Sequence, residues 1–171
     1  MKEALEDCGA ILYGDFTLAS GKKSRYYIDI KKAITDPLVL GLAADLMARQ
    51  MGEGHGVQRI AGVVLGSVPL AVALSLRTGI PFVMVRKEKK DHGTGKLIEG
   101  QLSPGERVMV VEDVITSAGS AMYAVKTLRQ AGAVVDMVMS VVDREEGGRE
   151  VLCSEGVGMT ALVTASMILG N

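Results

Sequence analysis

The run Val108-Met-Val-Val-Glu-Asp-Val-Ile-Thr-Ser-Ala-Gly-Ser120 constrains this chain more than any other stretch. Its β-branched, apolar first half reads as a strand buried on both faces, the pattern of a parallel sheet covered by helices. Two carboxylates, Glu112 and Asp113, come next, and small residues then open a helix. Open α/β sheets bind ligands at the carboxyl ends of their strands, where these acids and this turn are expected to emerge. Thr116 to Ser120 offer backbone N–H groups and hydroxyls at a helix N-terminus, which suits a phosphate. The carboxylates cannot bind that phosphate. They suit ribose hydroxyls, or the waters of a Mg²⁺ ion that bridges to a second, polyphosphate group. A lone Glu-Asp would be an ordinary polar strand end; the whole run of types, in order, predicts a site for a phosphorylated sugar.

Around this run, apolar segments of two kinds alternate. Pro37 to Met51 carries Leu38, Leu42, Leu46 and Met47 at helical spacing. Arg59 to Leu65 reads as a strand, Pro69 to Arg77 as a helix begun by proline, Pro81 to Val85 as a strand. After a charged loop come a strand from Arg107 to Val111, a helix from Ala118 to Ala131, a strand from Val134 to Val142, and a weaker helix-strand-helix tail. Repeated βα units of this length predict the α/β class, a central mostly parallel sheet flanked by helices. Phe16 to Ile30 differs: with Gly14, Gly21 and Tyr26-Tyr27 it reads as a hairpin with an aromatic end. No repeat or linker divides the chain, so residues 1–171 are read as one domain.

Nineteen basic against twenty acidic side chains give a formal charge of −1, so no global field recruits nucleic acid or an anionic membrane. Cys8 and Cys153 form no metal-ligand pattern with His55 or His92 and are read as free thiols used in packing. Two uncharged stretches, 60–76 and 156–171, fall short of about 20 strongly apolar residues, and Gly66-Ser67-Val68-Pro69 breaks the first. The acidic-rich start lacks the features of a signal peptide. A soluble, cytoplasmic protein is the expectation.

The segment Arg86-Lys-Glu-Lys-Lys-Asp-His-Gly-Thr-Gly-Lys-Leu-Ile-Glu-Gly100 carries five fixed positive charges, at 86, 87, 89, 90 and 96. Its cations could close over a polyanion and exclude water from it; such a run can also be a solvated loop or a weak nucleic-acid patch. Its Gly-Thr-Gly-Lys is not a P-loop, because Lys90 stands where the first glycine belongs and Leu97 follows the lysine.

Together these pieces resemble the orotate phosphoribosyltransferases of the type I phosphoribosyltransferase family. The order of types from 108 to 120 resembles that family's motif for phosphoribosyl pyrophosphate (PRPP). Arg-Lys-x-x-Lys-x-His-Gly at 86–93 is similar to the catalytic loop of the orotate enzymes, and Phe16-Thr-Leu-Ala-Ser-Gly-Lys-Lys-Ser-Arg-Tyr-Tyr to their N-terminal hood. The resemblance implies the type I fold, with a hood of about residues 1–36 over a core of about 37–171. It also implies transfer of a phosphoribosyl group from PRPP to orotate in pyrimidine synthesis, Mg²⁺ as cofactor, and a homodimer in which loop 86–99 completes the neighbour's site.

The same resemblance implies roles for individual residues. Arg86, Lys87, Lys90 and His92 match PRPP-binding positions, where cations and donors would stabilise departing pyrophosphate; Lys87, Lys90, His92 and Asp113 are the catalytic candidates. Gly66, Ser67 and Val68 match the loop whose backbone touches pyrophosphate. Glu112 and Asp113 match the carboxylates near the ribose, where Mg²⁺ would be held through PRPP and water with no direct protein ligand. Val114, Ile115, Thr116, Ser117, Ala118, Gly119 and Ser120 complete the PRPP motif, the last five as the 5′-phosphate cradle. Thr116 and Arg144 match positions that contact orotate, whose carboxylate suits a bidentate guanidinium. Tyr26 and Tyr27 are either hood core or base-stacking surfaces. One departure is Ala19, where many members have a lysine: either Lys22 or Lys23 compensates, or this subgroup works without that charge. Rival readings are a phosphoribosyltransferase for purines or another base, and a PRPP-sensing regulator without catalysis.

Overall fold

The computed structural model describes residues 1–17, 23–87 and 96–170. The expected Lys90 and His92, and with them Ala19, Gly21 and Lys22, lie outside the described residues. A short helix α1 (Lys2–Asp7) leads into an antiparallel hairpin, β1 (Ile11–Thr17) with β2 (Lys23–Ile28). The hairpin therefore starts earlier than Phe16. Two further helices follow, α2 (Ile30–Ile34) and α3 (Pro37–Met51).

The rest alternates as β3 (Arg59–Val63), α4 (Val68–Thr78), β4 (Phe82–Val85), β5 (Ile98–Glu99), β6 (Arg107–Ile115), α5 (Gly119–Gln130), β7 (Val134–Asp143), α6 (Gly148–Ser154), β8 (Gly158–Thr164) and α7 (Ala165–Leu169). The sheet order is β5-β4-β3-β6-β7-β8, and β5 alone runs antiparallel to its neighbour. Both faces are covered. Along β6, Met109 and Val111 pack with Leu70 and Leu74 of α4 and with the hood's Leu5, Tyr26 and Ile30. Val108 and Val110 pack on the other side with Val125 and Leu128 of α5. That two-sided burial is why the strand reads as a continuous apolar run rather than an alternating one.

α3 begins where Asp36 caps it, accepting from the N–H groups of Leu38 and Val39 at 2.8 and 3.3 Å, with Pro37 in the first turn. Its buried face is Val39, Ala43, Met47 and Met51, one residue round from the expected Leu38, Leu42 and Leu46. Of the expected set Met47 is buried, whereas Leu38 is left 83% exposed. Of the cysteines, Cys8 packs against the core as expected, whereas Cys153 differs and is exposed on α6.

The topology fixes where a site can form. From β3 the chain moves outward to β4 and β5, and from β6 it moves the other way to β7 and β8. α4 and α5, which make these two departures, lie on opposite faces. The chain thus parts between β3 and β6, the switch point at which such sheets leave a crevice beyond their carboxyl ends.

Candidate active site

β6 continues past its expected end at Val111 because its two neighbours differ. On the β3 side, pairing stops at Gly62 with Val111. On the β7 side it runs on through Glu112 with Ser140 to Ile115 with Asp143. Glu112 and Asp113 consequently sit on a strand with one side open, facing the loop that leaves β3. Gly62 lets that loop turn tightly: a Cβ there would lie 2.9 Å from both the Ser67 carbonyl oxygen and the Ala71 Cβ.

Gly66, Ser67 and Val68 form the near wall. Ser67 is fully buried and its hydroxyl donates to Oε2 of Glu112, tying the loop to the strand. A Cβ on Gly66 would sit 2.5 Å from Oδ2 of Asp113, so the absence of a side chain at 66 makes room for that carboxylate. The other oxygen of Asp113 accepts the Val114 N–H at 2.8 Å. A cleft of about 200 Å³ is lined by residues 63–67, Glu112, Asp113, Ser120, Lys87 and Lys31. A larger hollow of about 400 Å³ beside β5 is lined by one ionisable side chain, Lys96, and mostly by apolar and amide groups, which gives it little chemistry.

Glu112 is 4% exposed, and its Oε1 has no hydrogen-bond partner among the described residues. Burial pushes its carboxyl up to about 7; Asp113 adds to the rise, while the Ser67 hydroxyl and Lys87 oppose it. The folded state therefore holds this proton more tightly than the unfolded chain does. The group's stabilising contribution is full below the usual carboxylate range, and is lost as pH rises through about 7. Glu112→Gln should remove that slope and make the ligand-free protein more stable than wild type at pH 8 by about 3 kcal/mol. Thermal melts of both proteins from pH 4 to 8 check this; parallel curves would show that Glu112 titrates as it does in the unfolded chain.

Beyond β6, the chain turns at Ala118, whose φ of 61° makes it a left-handed N-cap for α5. Thr116, Ser117 and Gly119 are exposed there, and Ser120 lines the cleft, so the cradle expected from sequence is open. Of the remaining motif residues, Ile115 is buried against the α5 side and Val114 packs toward the α3 and α4 side. Gly148, at the start of α6, presses on this turn. A Cβ there would collide with the Thr116 carbonyl oxygen and lie 2.5 Å from Ile115 Cγ2. Nothing in the local pattern of Gly147-Gly148 signals that approach, which is purely tertiary.

Arg144 follows β7, and its N–H donates to the Ile115 carbonyl at 2.9 Å, placing it beside the cradle. Its guanidinium carbon lies 4.9 Å from the centre of the Tyr26 ring. Its Nε is 3.0 Å from Glu146 but poorly aligned, and that buried N–H has no hydrogen-bond acceptor among the described residues. Tyr26 is 6% exposed and is core as well as platform; Tyr27 is 43% exposed and stacks against Phe16, with ring centres 5.8 Å apart. Burial raises the Tyr26 hydroxyl above its usual range, against the pull of Arg144. Arg86 donates its N–H to the Leu97 carbonyl at 2.8 Å, and its guanidinium is 3.8 Å from Glu99. Lys87 accepts from the Tyr123 hydroxyl through its carbonyl at 3.2 Å. Among the described residues no group of three acids, histidines or cysteines could hold a metal. The acids of the cleft, Glu112 and Asp113, suit an ion that keeps most of its waters and is shared with substrate phosphates.

A family model described as a phosphoribosyl transferase domain matches residues 31–155. An orotate phosphoribosyltransferase of Methanocella arvoryzae is 50% identical over 168 residues, 98% of this chain and 95% of its own. The crystal structure of orotate phosphoribosyltransferase from Aeropyrum pernix is similar with a TM-score of 0.89 at 36% identity, over 99% of this chain and 96% of that one. The Mycobacterium tuberculosis enzyme of the same name, solved with 5-phospho-α-D-ribosyl 1-diphosphate, gives a TM-score of 0.81 at 30% identity, over 98% of this chain and 97% of that one.

Proposed function

The chain belongs to the phosphoribosyltransferase family, among the orotate phosphoribosyltransferases, and from that premise we propose how its residues perform the reaction. The phosphoribosyl group of PRPP passes to orotate, giving orotidine 5′-monophosphate and pyrophosphate for pyrimidine biosynthesis. The bond from the anomeric carbon to pyrophosphate breaks as the bond to a ring nitrogen of orotate forms.

Thr116 to Ser120 hold the 5′-phosphate at the N-terminus of α5. The backbone of Gly66, Ser67 and Val68 takes the pyrophosphate, with Arg86, Lys87, Lys90 and His92 stabilising the charge that gathers on it. Asp113 faces the ribose and favours the cationic character of the transition state. Arg144, with Thr116, receives orotate. Glu112 and Asp113 would hold, through water, a Mg²⁺ ion brought with PRPP, which would neutralise charge on the polyphosphate.

The chain acts as one domain, residues 1–36 forming the hood, and as a homodimer whose loop 86–99 completes the neighbouring site. The exposed Leu38 and Leu42 of α3 and Leu76 of α4 support a second copy by leaving apolar surface outside the core. No described helix is long and apolar enough to cross a membrane. A cytoplasmic location suits PRPP, a polyanion that does not cross membranes unaided.

One observation carries the choice of base: Arg144 stands next to the cradle with a guanidinium N–H that no described residue accepts. The orotate carboxylate suits it best, as a charged, two-oxygen acceptor that adenine, hypoxanthine and uracil lack. Protein, PRPP and Mg²⁺ should consume orotate, read as loss of its absorbance, and prefer it over adenine, hypoxanthine or uracil by roughly 10⁴-fold in kcat/KM. Turnover of a purine with none of orotate overturns this reading.

A further inference from the structure

We infer that Lys31, on α2, is a substrate-binding residue whose ammonium grips the pyrophosphate end of PRPP and supplies the hood cation that Ala19 does not. The inference rests on the reading of the cleft as the PRPP site. Lys31 lines that cleft together with the loop at 64–67, Lys87, Glu112, Asp113 and Ser120. It enters from the hood, on the far side of the crevice from α5.

The other described lysines of the hood are committed elsewhere. Lys2 donates to the Met167 carbonyl at 3.0 Å, Lys23 to the Thr17 hydroxyl at 2.8 Å, and Lys32 to the Gly9 carbonyl at 3.2 Å. Lys31 makes no hydrogen bond and no ion pair among the described residues. Its placement is nonetheless fixed. Asp29 accepts the Lys32 N–H at 3.1 Å and so starts α2, while Ile30, Ala33 and Ile34 are buried in the core. That anchoring turns Lys31 outward over the loop that follows β3. A held backbone carrying an unpaired ammonium loses little on binding an anion.

Charge decides which anion it takes. The 5′-phosphate already has the N-terminus of α5, and orotate has Arg144. The near wall at 64–67 contributes backbone groups and the buried Ser67, and no fixed charge. Pyrophosphate lying against that wall needs cations from the other sides, and among the described residues Lys31 and Lys87 are the two that line the cleft.

The test is Lys31→Met in the full chain, beside Lys31→Arg and the controls Lys22→Met and Lys23→Met. Steady-state kinetics with PRPP and orotate varied separately is paired with calorimetric titration of pyrophosphate in the presence of Mg²⁺. Lys31→Met should raise both the KM for PRPP and the Kd for pyrophosphate by about 10- to 100-fold, the worth of one charge-assisted hydrogen bond. The KM for orotate and the Tm should barely move, arginine should restore most of the affinity, and the two controls should behave as wild type. The inference is overturned if Lys31→Met keeps wild-type constants for PRPP and pyrophosphate while wild type turns over orotate, or if Lys22→Met carries the loss instead. A fall in Tm with unchanged ligand constants would assign Lys31 to the fold and also overturn it. Should wild type leave orotate untouched, the functional reading fails on its own, and equal pyrophosphate affinity in wild type and Lys31→Met then refutes the role of Lys31 separately.

Discussion

Asp113→Asn should lower kcat by roughly 10²–10³-fold while leaving PRPP affinity and the fold close to wild type. The substitution is nearly isosteric. Asn can still accept the Val114 N–H that Asp113 accepts at 2.8 Å, and its amide fits beside Gly66, where no side chain competes for the space. What disappears is one negative charge next to the ribose. That charge matters little while the sugar is neutral and most when the anomeric carbon turns cationic, so the loss falls on kcat rather than on binding. Turnover numbers, calorimetric PRPP binding and a thermal melt on the same preparation separate these effects. Wild-type turnover would reduce Asp113 to a polar strand end.

Asp113 was legible in the sequence because its signal is local: an apolar strand, two acids and a small-residue turn, all within the stretch 108–120. The strand boundary was less so. Nothing in residues 112–115 says that β7 will keep pairing with them after β3 has stopped, yet that asymmetry is what exposes the acids to the crevice. α3 shows the same limit. The spacing of its leucines predicts a helix correctly, but the face turned to the core is Val39, Ala43, Ala44, Met47 and Met51, and Leu38 is left outside.

The site residues that sequence reading missed depend on approaches between distant segments. Ser67 was expected for its backbone alone; its side-chain role was missed, because Glu112, which is 45 positions away, accepts from its hydroxyl. Gly148 is required by the carbonyl of Thr116, and Lys31 by a cleft formed from three other segments. A faint signal for Lys31 existed: Asp29 followed by Ile-Lys-Lys predicts a capped turn straight after the aromatic end of the hairpin, which puts a cation at the hood's base. It could not be told from Lys22, Lys23 or Lys32 without knowing which of them the fold already employs.

Arg144→Ala should cost roughly 10²–10³-fold in kcat/KM for orotate and almost nothing in PRPP affinity, as truncating one partner of a buried, bidentate charge pair does. Arg144 owes its place to two restraints. Its N–H is bonded to Ile115, and its side chain lies over Tyr26 with Glu146 at its edge. A guanidinium so held is pre-oriented, and a lysine at 144 could not present two parallel donors, so Arg144→Lys should rescue little. Uracil supplies the control that distinguishes recognition from general damage, because it is orotate without the carboxylate. Poor turnover of uracil should be unaltered by the substitution, so that the preference for orotate over uracil shrinks by nearly the whole loss in orotate activity. A mutant that is slower with both bases in equal proportion would show that Arg144 braces the hood against the cradle, and that the carboxylate is recognised elsewhere.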